Sequence, residues 1–317
     1  MRACILLAVA AVCFFPHQSA NAEIIIGLTS QNSLISFDSA TPGSVSTIGA
    51  ITGLTAGDIL VGIDRRPQLG PNNGRIYGLG VNFGTGTGRI YTVSEIDATA
   101  TLISTLFADP SDTTAPFPFT TVTGTSFGID FNPVPDRLRA VSNTGQNLRI
   151  NVDNGLVQLD VPLSFVVGDP NFGDSPVIAG IAYSNNFGGA TSSVLRGVDI
   201  GQNPDALVLF SNPNGGVLQT SLDLPFNSGL TGYDISGFTG TPYFSITPAG
   251  SLSSSLFAAG AGGVSLVGTI GGGVSLVDIA APVGEPVPEP ATVILSMMGL
   301  IAIGLLRRRF GRTTQSA

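Results

Sequence analysis

Across 317 residues the chain carries 21 acidic and 13 basic side chains, 42 glycines, two cysteines, one histidine and no tryptophan or lysine. Both cysteines, the histidine and all three methionines fall within residues 1–22 or 291–317, so the stretch between them offers no thiolate nucleophile, no Ser-His pair, no Cys/His zinc site and no disulfide. That stretch, 23–290, holds eight arginines against 21 acids, a net charge of −13, which argues against nucleic acid or anionic lipid as a partner and favours divalent cations.

The chain opens with Arg2, an apolar run over 3–15, Pro16, and the small-residue triplet Ala20-Asn21-Ala22. A positive start, a short apolar middle and an A-x-A site predict a secretory signal peptide over 1–22, cleaved after Ala22. The apolar run is too short to span a bilayer comfortably.

From residue 23 onward, short alternating runs rich in Val, Ile, Ser and Thr are separated by Gly, Asn and Pro turns, an all-β composition. The runs repeat in groups of four. "LVGIDRRP" (60–67) leads to "GRIYGLG", "GRIYTVSEID" and "ATLISTL"; "SFGIDFNP" (126–133) leads to "DRLRAVS", "QNLRINVD" and "GLVQLDV". "IAGIAYSN" (178–185) and "LTGYDISG" (230–237) each open a similar group, with Gly62, Gly128, Gly180 and Gly232 as repeating anchors. Residues 23–49 supply only three strands, and one orphan, "VSLVDIA" (274–280), remains at the far end. Pairing the orphan with the first three completes a fifth unit and removes the open edges. The prediction is a five-bladed β-propeller over 23–282, with a β-sandwich or other β-meander as the alternative.

Four aspartates, Asp64, Asp130, Asp234 and Asp278, are read at one position of the repeat, with Ala182 in the remaining unit. On innermost strands they would ring the channel, where neighbours about 7 Å apart repel by roughly 2.4 kcal/mol at an effective dielectric near 20. Such a ring needs a cation such as Ca²⁺, arginine partners or raised pKa values. The structural alternative has each aspartate accepting backbone hydrogen bonds in the turn after its strand. Asp38, Asp97 and Asp153 are read as turn residues. Arg139 and Arg196, aligned with Ile26, Tyr77 and Phe244, are expected to pair with the excess acids. "GDPNFGD" supplies Asp169, Asn171 and Asp174 as oxygen ligands for Ca²⁺, though without EF-hand spacing, and is otherwise a plain loop. "GTGTGR" (84–89) is a hairpin loop, lacking the Lys-Ser/Thr of a phosphate loop. The long segment 107–126, with Phe107, Phe117 and Phe119, is either a lid or a loop folded over a blade edge.

A Pro-rich linker, 283–290, ends in Pro288-Glu289-Pro290. An apolar stretch over 291–306 follows, then Arg307, Arg308 and Arg309 in a basic tail, 307–317. Sixteen helical residues reach about 24 Å, slightly short of a hydrocarbon core, and arginine stems extend them by snorkelling. Arginines on one flank place it in the cytoplasm, with the body outside. These three parts resemble the PEP-CTERM sorting signal. The resemblance implies cleavage near the Pro-Glu-Pro by an exosortase-type membrane protease and release to the outer envelope or exopolysaccharide matrix of Gram-negative bacteria. "DFNPVPDRLRAVSNTGQNLRIN" (130–151) and "GDPNFGDSPVIAGIAYSNN" (168–186) resemble an uncharacterised family of exported bacterial proteins with a domain of unknown function, which implies no catalytic residues.

The sequence therefore reads as an exported cell-surface or biofilm-matrix protein, a non-catalytic binding or structural module whose expected partners are the processing protease and exopolysaccharide. Membrane contact is expected only through the sorting helix. The alternative is a carbohydrate-active hydrolase or lyase using channel carboxylates, and a third reading is a scaffold for polysaccharide export.

Overall fold

The computed structural model describes residues 22–285, and residues 1–21 of the expected signal peptide and the sorting segment from residue 286 onward lie outside the described residues. Among the described residues every regular element is a strand, and no helix is long and apolar enough to cross a membrane.

The strands form five separate sheets. Blade 2 runs outward through Ile59–Arg65, Ile76–Asn82, Thr87–Val93 and Ala100–Thr105. Blade 3 has Phe127–Asn132, Arg137–Ser142, Asn147–Ile150 and Leu156–Leu159; blade 4 has Ile178–Tyr183, Leu195–Asp199, Ala206–Asn212 and Val217–Asp223. Blade 5 has Leu230–Ile235, Pro242–Thr247, Ser255–Gly260 and Gly263–Thr269. Blade 1 is composite: Leu276–Ala280 lies innermost, followed by Ile24–Thr29, Ser33–Asp38 and Val45–Ala50. The five-bladed propeller is the observed fold, and the expected closure is present: Leu276–Ala280 pairs antiparallel with Ile24–Thr29, setting Ile26 opposite Ala280 and Leu28 opposite Asp278.

Burial follows the sequence pattern from axis to rim. Inner strands such as Ile178–Tyr183 are buried along their whole length, whereas the outermost, Val45–Ala50 and Gly263–Thr269, are largely exposed and rich in Ser, Thr and Gly. Apolar side chains fill the spaces between blades. Tyr77, Leu79 and Val81 of blade 2 meet Phe127, Ile129 and Phe131 of blade 3, and Ile25 and Phe37 of blade 1 meet Tyr243 and Leu256 of blade 5. Each such buried side chain contributes about 1.5–3 kcal/mol, so the core is a ring of inter-blade seams.

The segment 107–126 follows the blade-edge reading. Phe107–Ala108 adds a short parallel strand outside Leu156–Leu159, and Phe119 is buried in the seam between blades 2 and 3, while Phe107 and Phe117 stay exposed. Ser164–Phe165 covers the outer edge of blade 4 in the same way, which protects both edges from pairing with another chain.

The repeated glycines mark where inner strands nearly touch. A Cβ on Gly128 would stand 2.7 Å from the Ile181 amide nitrogen, and one on Gly232 would stand 2.7 Å from the Asp278 Cα and the Ile279 nitrogen. Neither backbone can move without opening the ring. Gly128→Ala and Gly232→Ala are therefore expected to lose about 1–3 kcal/mol each, as overpacked sites do, seen as a lower urea midpoint. Gly262→Ala, in open space, should leave the midpoint unchanged; equal behaviour of all three would refute the close-approach account.

Candidate functional site

The sequence places an aspartate near the end of several inner strands, and the fold turns those strand ends toward one another at the axis. Asp64, Asp130 and Asp234 each offer a carboxylate oxygen within 4.8 Å of the others, and all three are buried. Each reaches across to the next blade. Asp64 Oδ2 accepts the Phe131 N–H at 2.7 Å, Asp130 Oδ1 accepts the Tyr183 N–H at 3.1 Å, and Asp234 Oδ2 accepts the Ala281 N–H at 2.5 Å. Asp64 and Asp234 also accept the following N–H of their own strands, from Arg65 and Ile235, both at 2.6 Å.

These bonds correct the register expected for the fourth aspartate. The acceptors reach residues one past Asp130, Ala182 and Ala280, so Ala280, not Asp278, shares the position of Asp64, Asp130 and Asp234. Asp278 stands one layer away, at the level of Gly62, Gly128, Gly180 and Gly232; a Cβ on Gly62 would lie 2.8 Å from its Oδ2. Its carboxylate accepts the Ile63 and Ile279 N–H groups, both at 2.9 Å. Without that glycine, blade 1 gives no sequence marker of its register. The result is a triad plus one offset acid, and four of the five blade junctions are bridged by a carboxylate. At the junction between blades 4 and 5 the position is Ala182.

Burial raises the pKa of every member. Removal from water is the largest cause for Asp64 and Asp130, followed by repulsion from neighbouring axial carboxylates, and it also lifts Asp278 well above the usual range. Burial pushes Asp234 up to about 7, opposed by its backbone bonds. Asp130 Oδ2 finds no hydrogen-bond partner among the described residues. The arrangement can hold protons on its carboxyls or a cation among them.

The other residues singled out in the sequence lie apart from this cluster. Asp169 accepts the Asn171 N–H and both the N–H and hydroxyl of Thr220, pinning its loop to the outer strand of blade 4; among the described residues no cation-sized acidic group includes Asp169 or Asp174. Asp38 and Asp97 bond the amides two residues on, as turn aspartates do. Asp153 does more. With Asp136 it clamps Arg66, a fully buried guanidinium that the sequence did not single out and that lies over the Tyr77 and Phe131 rings. Arg139 pairs with Asp160 as expected, whereas Arg196 forms no ion pair among the described residues, and the residue matching it in blade 5 is Tyr243, not Phe244.

Five four-stranded antiparallel blades, two of them with a short parallel strand added at the rim, around a buried carboxylate axis make this an all-β propeller protein. Residues 33–280 match the model of the domain of unknown function DUF4394, and the chain belongs to that family. Residues 286–309 match the PEP-CTERM protein-sorting motif, which covers Pro288-Glu289-Pro290 and Arg307–Arg309 and implies export to the envelope or surface and processing by an exosortase-type enzyme. No curated protein matches the chain in sequence. Among solved structures it is similar to a protein of unknown function from Bacteroides thetaiotaomicron, at 16% identity and TM-score 0.43 over 83% of this chain, which spans 65% of that protein. It is also similar to the calcium-binding protein regucalcin from Agrobacterium tumefaciens (12% identity, TM-score 0.38, 82% of this chain and 77% of that one). A third is the periplasmic gluconolactonase PpgL of Pseudomonas aeruginosa (15%, 0.36, 79% and 68%).

The axis sets a definite pH response. Asp234 has a folded pKa near 7 against an ordinary value of 3.8, so between these limits the folded chain binds more protons than the unfolded one. Its contribution to stability therefore falls as pH rises through this window, and the raised pKa values of Asp64, Asp130 and Asp278 act in the same direction. Thermal unfolding followed by circular dichroism should show this decline. Asp130→Asn keeps the Oδ1 acceptor and places an amide where Oδ2 lacks a donor, so it should raise the melting temperature above pH 7 and flatten the profile. Asp64→Asn turns an amide toward a backbone N–H and should cost on the order of 1–3 kcal/mol. A profile that rises with pH through the window would overturn the assignment.

Proposed function

We propose that the chain is an exported, non-catalytic binding or structural module of the cell surface or biofilm matrix, delivered by its signal peptide and released by exosortase-type cleavage at 288–290. The observation that carries this reading is the use made of the axial carboxylates. A glycosidase needs two carboxyl groups about 5–5.5 or 6.5–9.5 Å apart with substrate between them. Here the oxygens cluster within 4.8 Å, are buried, and accept backbone N–H groups that join one blade to the next. They are engaged in holding the ring. Sorting by a PEP-CTERM tail supports display outside the inner membrane, and exopolysaccharide is the partner that location favours.

A second reading concerns the same triad. Three carboxylates converge and Asp130 Oδ2 lacks a donor, a donor set suited to a hard divalent cation. Calcium bound there would displace the protons that burial favours on these carboxyls, neutralise the cluster and stiffen the axis without catalysis. Calorimetric melting with Ca²⁺ and with a chelator tests it. A rise in melting temperature that Asp130→Asn abolishes supports the cation, and superimposable curves remove it.

Delivery is tested in a host carrying an exosortase. Replacing Pro288, Glu289 and Pro290 by alanine should retain the protein in the membrane fraction, while the native chain is recovered from the outer envelope or medium. Identical fractionation would sink the release model. Released protein should bind polysaccharide on a glycan array without generating new reducing ends; turnover would replace the module by the hydrolase.

A further inference from the structure

Away from the axis, blade 3 gathers three guanidinium groups. Arg137 and Arg139 are two residues apart on one strand and so share a face, and Arg149 stands directly opposite Arg139 on the next strand. Like charges at facing sheet positions are destabilising. Their grouping stands out in a domain with an excess of acids, since three of its eight arginines meet at one place.

The local acids do not cancel them. Asp160 serves two of the three, accepting from Arg139 Nη1 at 3.0 Å and from Arg149 Nε and Nη2 at 2.7 and 2.9 Å. Arg137 bonds only the carbonyls of Pro135 and Asp136. Asp136 and Asp153 are engaged by Arg66, while Asp109 and Asp112 act on Arg137 and Arg149 only through space and form no ion pair with them. Among the described residues Arg137 Nη2 and Arg149 Nη1 have no acceptor.

The cluster is rigidly framed. Arg139 is 2% exposed, its Nε donating to Tyr183 Oη at 2.8 Å and its Nη2 to Asn214 Oδ1 at 2.7 Å, both on blade 4. Around it opens a cleft of about 180 Å³ between blades 3 and 4, lined by the three arginines with Asn132, Tyr183 and Asn214. Whole-ligand pockets run to roughly 300–1,000 Å³, so this one has room for a single group of a larger molecule. Planar guanidinium forks match the geometry of carboxylate and phosphate.

We infer that this cleft binds one oxyanion group, a carboxylate or a phosphate, carried by an extracellular ligand. The site deepens the binding-module reading by giving the ligand its charge, and it rests on that reading only for the ligand's location.

Titration calorimetry of the full chain at low salt, with inorganic phosphate, glucuronate and glucose as probes, tests the inference. Saturable binding of phosphate, glucuronate or both is expected, weakening with added salt, with no heat from glucose. Arg137→Gln touches no ion pair and should bind about tenfold more weakly, the loss of one charge-assisted bond. Arg149→Gln should do the same, provided its circular dichroism spectrum matches the native one, because it takes a partner from Asp160. Absence of binding by both anions, or native affinity in Arg137→Gln, overturns the site. Anion binding with a silent glycan array would keep the site and remove the polysaccharide partner; array binding confined to neutral glycans with no anion binding would do the reverse.

Discussion

The fold depends on how closely five inner strands approach one another at the axis. Where Gly128 faces the Gly180–Ile181 backbone there is no room for a methyl group, and this proximity is what lets a short aspartate on one blade reach an amide on the next. The carboxylates then satisfy backbone N–H groups that the blade geometry leaves without sheet partners, a requirement for buried amides. Glycine and aspartate two residues apart thus form one device: the first permits contact and the second bonds it. Because the bonds need an acceptor and the burial disfavours its charge, the axis holds a tension between hydrogen bonding and desolvation, expressed in the raised pKa values.

Further out, the seams combine apolar packing with polar clamps. Arg66 of blade 2 is gripped by Asp136 and Asp153 of blade 3, and Arg139 of blade 3 is held by Tyr183 and Asn214 of blade 4. Such buried guanidinium pairs add little net stability, yet removing one partner is costly because it strands a charge. They fix the angle between neighbouring blades. The clefts between blades, including the arginine-lined one, inherit that rigidity.

Much of this was legible in the residues. The four-strand period, the glycine anchors and the orphan strand near Val274 together specified five blades and their closure, because each signal is local and repeated. Asp64, Asp130 and Asp234 were legible for the same reason. Asp278 was misplaced by one layer because blade 1 is assembled from both ends of the domain and carries no anchoring glycine in its inner strand. Arg66 escaped notice because its acids lie 70 and 87 residues away on another blade. The convergence of Arg137, Arg139 and Arg149 needed the hairpin register, which sets Arg139 against Arg149 and cannot be read from spacing alone.

The seal of the ring is made by the last strand of the domain, and the chain is anchored only a little further, where Gly284 bonds Asn186. Pro288 follows four residues later. The pairing that closes the ring, and every contact described for it, is made within residues 22–285. Closure must wait until residues 276–280 are available to pair with Ile24–Thr29, almost the whole length of the domain later. Topology alone thereby orders assembly in time: the first blade stays unfinished until the last strand arrives.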